Sequence, residues 1–166
     1  LQVSGGPVIL VEAADCVGGG AAGDSVATLR ALLDLSPDEE SLVPVVDPEA
    51  AATCHLAGPS AEITVSLGHA VDPKWGSPIE ISATVVGLSD GHFTYEGGAF
   101  EGAVTMGASA VVAIGSVQVL ITTFGTYEWR DEQFRAVGLD PGTAKFVVAK
   151  NPMNHAMTYG DIATDI

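Results

Sequence analysis

Two short stretches concentrate the groups that could do chemistry: "DCVGGGAAGDS" at 15–25 and "KNPMNH" at 150–155. In the first, Gly18, Gly19, Gly20 and Gly23 lead into a segment of helical spacing, and Asp24 stands where an N-cap is expected. A strand, a glycine loop and a capped helix make an anion site in principle, because free backbone N–H groups and the helix dipole both favour negative charge. No Lys followed by Ser or Thr closes the loop, which excludes a P-loop. Gly18, Gly20 and Gly23 satisfy G-x-G-x-x-G literally. However, the acidic candidates, Asp38 to Glu40, fall ahead of the next strand rather than after it, so a dinucleotide site is not the preferred reading. A hydrogen-bonding loop beside a cleft and a plain tight turn both stay open. In the second stretch Lys150, Asn151, Asn154 and His155 gather polar groups in an apolar region, and a polar loop capping a helix would explain them equally well.

The remaining reactive side chains are scattered. His55, His69, His92 and His155 form neither H-x-x-x-H nor H-E-x-x-H, so no local zinc motif exists. There is no G-x-S-x-G elbow. Cys16 lies in the glycine loop, where an accessible, reactive thiol is one expectation; Cys54 reads as a small core residue. Asp38, Glu39 and Glu40 read as a solvated loop. These residues alone supply no self-contained catalytic set.

The elements that must position them follow from periodicity. "PVILVE" (7–12) is a buried strand, and after the loop Val26, Leu29, Leu32 and Leu33 share one helical face, with Arg30 and Asp34 paired at i, i+4 on another. "SLVPVV" (41–46) is a second strand, and 47–58 a helix with Pro in its first turn and Gly58 at its end. Then the period changes to two: Ile63, Val65 and Leu67 alternate with polar residues, as do Ile79, Ile81, Ala83 and Val85, which marks half-buried antiparallel strands. Turns at 89–91 and 114–116 separate further strands. A short helix at 131–138, a buried strand at 144–150 and a last helix broken at Gly160 complete the chain. The expectation is one α/β domain over 1–166: a mixed sheet with a strand–Gly loop–helix start, an antiparallel middle, and helices packed on the sheet.

Composition narrows the function classes. The 166 residues are 47% hydrophobic and 16% charged, which suits a compact fold. With 21 acidic against 6 basic residues the net charge is −15, so nucleic acid and anionic membrane are not expected partners. No apolar run approaches the ~20 residues of a membrane span. Two cysteines without C-x-x-C spacing suggest a reducing, cytoplasmic setting. The chain begins at Leu1, and we expect it to be a piece of something larger.

"GGGAAGDSVATLRALLD", "DPEAAATCHLAGPSAEITVSLGH", "SDGHF" and "FRAVGLDPGTAKFVVAKNPMNH" occur in the order, and with the composition, of a known domain. They resemble the C-terminal domain of the microcystinase C (MlrC) family, from about Val8 to Ile166. The resemblance implies a two-domain, zinc metallopeptidase-like parent whose metal-binding Asp and His residues sit in an N-terminal domain absent from this chain. The segment itself would then be non-catalytic, with no cofactor of its own, and would close over the metal cleft and shape a pocket for a peptide or small molecule. Asp15, Gly18, Gly19, Gly20, Gly23, Asp24, Lys150 and His155 are the substrate-binding positions this reading names. Where the family commonly has D-N-P-G-G-G, this chain has Asp15, Cys16 and Val17 before Gly18. It also lacks the family's Phe-Arg after the "KNPMNH" stretch, which removes an anchor for a carboxylate. Two other classes remain as alternatives: a stand-alone module for a small anion or metabolite, and an assembly role as a homo-oligomer.

Overall fold

The computed structural model describes residues 4–166, so the expectation drawn from Leu1 lies outside the described residues. The chain order is β1 (Val8–Val11), two 3₁₀ turns at Ala13–Asp15 and Val17–Gly19, α1 (Ala27–Leu35), β2 (Ser41–Val46), α2 (Pro48–Ala57), β3 (Glu62–Leu67) and β4 (Ile79–Ser89). It continues with β5 (His92–Tyr95), β6 (Gly102–Thr105), β7 (Ser109–Ile114), β8 (Val117–Thr122), α3 (Glu132–Arg135), β9 (Phe146–Ala149) and α4 (His155–Tyr159). Seven strands form one sheet in the order β1-β9-β2-β8-β7-β4-β3, and β5 and β6 form a separate hairpin.

The sheet is mixed, as expected. β1, β9, β2 and β8 run parallel, while β8, β7, β4 and β3 form an antiparallel meander. The opening β1–α1–β2 unit is therefore a βαβ crossover into which β9, from the far end of the chain, is inserted. Val43, Val45, Val119, Ile121 and Val148 point to the face covered by α1 and α2, where Leu29, Leu32, Ala51 and Cys54 meet them. The alternate residues Leu42, Leu120 and Val147 point to the opposite face, against Phe134 of α3, Leu139 and Tyr159 of α4. Strands buried on both faces need continuous apolar runs, which is what "LVPVV", "VLIT" and "FVVA" provide. In the meander Ile79, Ile81, Ala83 and Val85 are buried and alternate with more exposed neighbours.

Some local expectations are corrected. α1 begins at Ala27 rather than after Asp24, and no side chain caps it. The Asp24 carboxylate instead accepts the N–H groups of Val71 and Asp72 at 2.9 and 2.7 Å, bonds of greater reach than a cap. Arg30 turns away from Asp34: its Nη2 donates to the carbonyls of Ser77 and Pro78, both at 2.9 Å. α4 ends at Gly160 as anticipated, but the chain then returns to the sheet, where Asp165 bridges Val8 and its carbonyl accepts from Ile9 N. Among the described residues no helix is long and apolar enough to cross a membrane.

Candidate functional site

Parallel strands deliver their C-terminal ends to one edge, where α/β sheets commonly bind ligands. β1 and β9 are parallel neighbours with Val11 opposite Ala149, so the chain leaves both strands side by side. That register places Asp15 against Lys150. Lys150 Nζ donates to Asp15 Oδ2 at 2.9 Å, to the Gly23 carbonyl at 3.0 Å and to the Ser25 carbonyl at 2.8 Å. An ammonium has three donors, and all three are used. Asp15 in turn accepts from Gly23 N at 2.8 Å and Ser25 N at 2.7 Å. Both side chains are buried. Removing two charges from water is costly, and the pair persists because the ammonium has three acceptors and the carboxylate three donors.

This clasp closes the glycine loop at its base. Within the loop the N–H groups of Gly19, Gly20 and Ala21 are donated to the carbonyls of Cys16 and Val17. Together with Gly23 N, four loop donors are therefore spent inside the protein, and the loop is not an open anion cradle. What it presents outward is bare backbone: Gly18, Gly19 and Gly20 are exposed. Gly18 has a reason to lack a side chain, since a Cβ there would lie 2.1 Å from the Tyr127 ring. Gly23, at φ +77°, sits wedged against Val17 and Val46. Gly19 meets only ordinary contacts with Cys16, at 3.7 and 3.8 Å.

Tyr127 links this loop to the second polar stretch. Its hydroxyl accepts from Asn154 Nδ2 at 3.1 Å and its carbonyl from Asn151 Nδ2 at 3.1 Å, and its ring packs with Phe100 and Trp129. The next residue, Glu128, is buried in the left-handed region at φ +55°. Its carboxylate accepts from Lys150 N at 2.8 Å and from the Tyr159 hydroxyl at 3.2 Å. Burial pushes its pKa up to about 7, only partly offset by those two bonds and the Lys150 charge.

On the other side of the loop lies a cavity of about 600 Å³, lined by Glu12, Asp15, Gly20, Asp24, His69 and Trp75 among others. Its outer wall, residues 69–78, is stapled to the helix side by the Asp24 bonds to Val71 and Asp72 and by the Arg30 bonds to Ser77 and Pro78.

Thus Asp15, Gly23 and Lys150 form one cluster, Gly18 joins it through Tyr127, and Gly19 and Gly20 lie on its exposed rim. Asp24 lies on the cavity side. His155 does not reach the loop: its Nδ1 bonds the Pro152 carbonyl of its own turn at 2.9 Å. Cys16, expected to be accessible, is a buried free thiol. Cys54 is buried too, which raises its thiol pKa and suits a core residue. Sequence reasoning missed Tyr127, Glu128, His69 and Trp75. An acid flanked by aromatics in "TYEWR" is the one local hint of Glu128; for the others only the fold provides the signal. Among the described residues no three His, Cys, Asp or Glu side chains are grouped to hold a metal ion.

Comparison with known proteins agrees with this architecture. The chain is 26% identical over 160 residues to microcystinase C of Sphingomonas sp., an alignment covering 96% of this chain and 31% of the relative. A protein of Mesorhizobium sp. BNC1, described from its crystal structure as a candidate metallopeptidase, superposes with a TM-score of 0.86 at 28% identity, covering 96% of this chain and 32% of that one. The chain thus spans about a third of the length of the relatives it matches. The family model for the MlrC C-terminus matches residues 10–166, and the chain belongs to that family.

Proposed function

We propose that this segment, acting as one domain, forms a wall of the substrate cleft in an MlrC-type metallopeptidase and contributes no catalytic group. The zinc would be held by the domain that precedes it in the parent protein, and the substrate would be a peptide or small molecule. The observation that carries this reading is an exposed Gly18–Gly20 turn made rigid by a buried clasp at the C-terminal edge of the parallel strands. A side-chain-free, tethered surface lets a substrate backbone approach closely and lowers the cost of ordering the protein on binding. Asp15, Gly23 and Lys150 hold the turn, Asp24 holds the facing loop, and His155 would meet the substrate only from α4, outside the loop and its cavity. The alternative of a small-anion module draws little support, because the loop donors point inward and the adjacent cavity is lined with carboxylates. We place the parent in a reducing, cytoplasmic setting, which two free thiols support.

Gly19→Val in the full-length protein tests the cleft. The site tolerates a side chain, with no positive φ and ordinary contacts at 3.7 Å, so the unfolding midpoint should be retained. On this reading kcat/KM falls by about tenfold or more, since a misplacement of even ~1 Å near a reacting group costs roughly a hundredfold. An unchanged kcat/KM in a folded variant overturns it.

A further inference from the structure

The cavity beside the glycine loop has a charge balance that the clasp does not explain. Four carboxylates line it: Glu12, Asp15, Asp24 and Asp72. Asp15 is matched by Lys150; among the described residues Glu12 and Asp72 have no basic partner, and Asp24 faces only the His69 imidazole, at 4.0 Å. Arg30 is committed to the Ser77 and Pro78 carbonyls. Each of the three also keeps unused acceptor capacity. Glu12 takes one bond, from the Thr28 hydroxyl to Oε2; Asp72 takes one, from Lys74 N to Oδ1; Asp24 takes its two on Oδ2.

A second observation is independent of the carboxylates. His69 lines the same cavity with a side chain only 8% exposed, and its Nδ1 has no hydrogen-bond partner among the described residues. Asp24 Oδ1 lies 4.0 Å from it, beyond hydrogen-bonding range. The residue is held at φ +52°, and the ring is covered by Gly76, where a Cβ would fall 2.3 Å from Nε2. A buried imidazole in a strained backbone, with an unmet polar atom, is the kind of group that a ligand completes.

The rim supplies the third element. Trp75 is 74% exposed, and Lys74 Nζ sits 4.6 Å from its ring centroid, so one indole face already takes a cation of this chain while most of the ring stays open to solvent.

From these we infer that the cavity is a recognition site for an organic cation, a primary ammonium or a guanidinium, held by Glu12, Asp24, Asp72 and His69 and covered by Trp75. Such a group brings several N–H donors to acceptors that are otherwise unfilled, and its hydrocarbon stem lies against the indole. A bare metal ion fits less well, since these side chains do not form a ligating group. Assigning the cation to the substrate rests on the cleft reading above; the site itself does not. A basic residue of a peptide and a free polyamine share the chemistry.

Titration calorimetry on the full-length protein tests the site with three probes: argininamide and citrullinamide, both acetylated on the α-amino group so that the second is neutral, and spermidine. Both cations should bind at least about tenfold more tightly than citrullinamide, a gap of about 1.4 kcal/mol. Asp72→Asn, which keeps the Oδ1 acceptor, and Trp75→Ala, at an exposed position, should each weaken the cations by about fivefold to tenfold while leaving the unfolding midpoint in place. Tighter argininamide assigns the site to a peptide, and tighter spermidine to a free amine; either supports a cation site. Equal affinity for citrullinamide, or affinity unchanged in both variants, overturns it and leaves only diffuse attraction to an acidic chain. If no cation binds but Gly19→Val still lowers kcat/KM, the cleft reading survives and this inference fails; binding without a Gly19 effect means the reverse.

Discussion

At the scale of single residues, Lys150 does the most. Its ammonium joins the end of β9 to the turn after β1 and to two carbonyls ahead of α1, tying the two ends of the chain to one point. Lys150→Met keeps the stem but leaves Asp15 charged and buried and the Ser25 carbonyl unmet, while the Gly23 carbonyl keeps its bond from Val46 N. Breaking one side of a buried pair costs about 3–5 kcal/mol, and urea unfolding of the variant should show a loss of that order. Lys150→Arg should not restore it, because three acceptors converging on one nitrogen suit a compact ammonium and not a planar fork. A retained stability in Lys150→Met would mean that the clasp is incidental.

At the scale of elements, the site depends on how loops are pinned to helices. α2 is capped by Asp47, whose Oδ1 accepts Ala50 N at 3.0 Å, while its Oδ2 accepts Gly68 N at 2.8 Å. One carboxylate therefore starts a helix and anchors the end of β3, just ahead of His69. Asp47→Ala should cost about 2 kcal/mol or slightly more in chemical unfolding, the upper end of an N-cap loss, because a second buried N–H is orphaned as well. Asp47→Asn has a single acceptor oxygen and can keep only one of the two bonds, so it should fall between wild type and Asp47→Ala. α1, in contrast, has no capping side chain, and the Arg30 and Asp24 bonds bind it to the 69–78 loop instead.

At the scale of the whole molecule, charge and pH are the quantities to follow. Burial holds the Glu128 pKa at about 7, against an ordinary 4.5 in the unfolded chain. Between these values the folded protein keeps a proton that the unfolded chain has released. Stability from this residue is therefore fully present below about pH 4.5 and is lost as pH rises through about 7, with a slope of up to about 1.4 kcal/mol per unit and a total of roughly 3 kcal/mol. Glu128→Gln has no proton to lose. Unfolding free energies compared across pH 5 to 8 should show wild type losing roughly 2–3 kcal/mol relative to this variant; parallel curves would mean that Glu128 is not desolvated in solution.

Much of the fold was legible because it depends on local pattern. The alternation in "IEISATV" and the continuous apolar runs of "SLVPVV" and "AKFVVAK" report which faces are buried, since a strand has a period of two and burial acts on each residue separately. Asp47-Pro48 and Gly58 marked the ends of α2 by backbone chemistry alone. The family likeness was carried by the glycine loop and the "GLDPGTAKFVVAKNPMNH" run. What the sequence could not contain was juxtaposition. Nothing local says that β9 inserts between β1 and β2, yet that insertion brings Lys150 to Asp15 across more than a hundred residues. Nor does Asp24 look different from an N-cap until the 69–78 loop arrives to claim its oxygens. The sequence by itself determined the elements, their buried faces and the family; only the tertiary structure decided which polar groups are spent on one another, because that depends on distances set by sheet order and not by spacing along the chain.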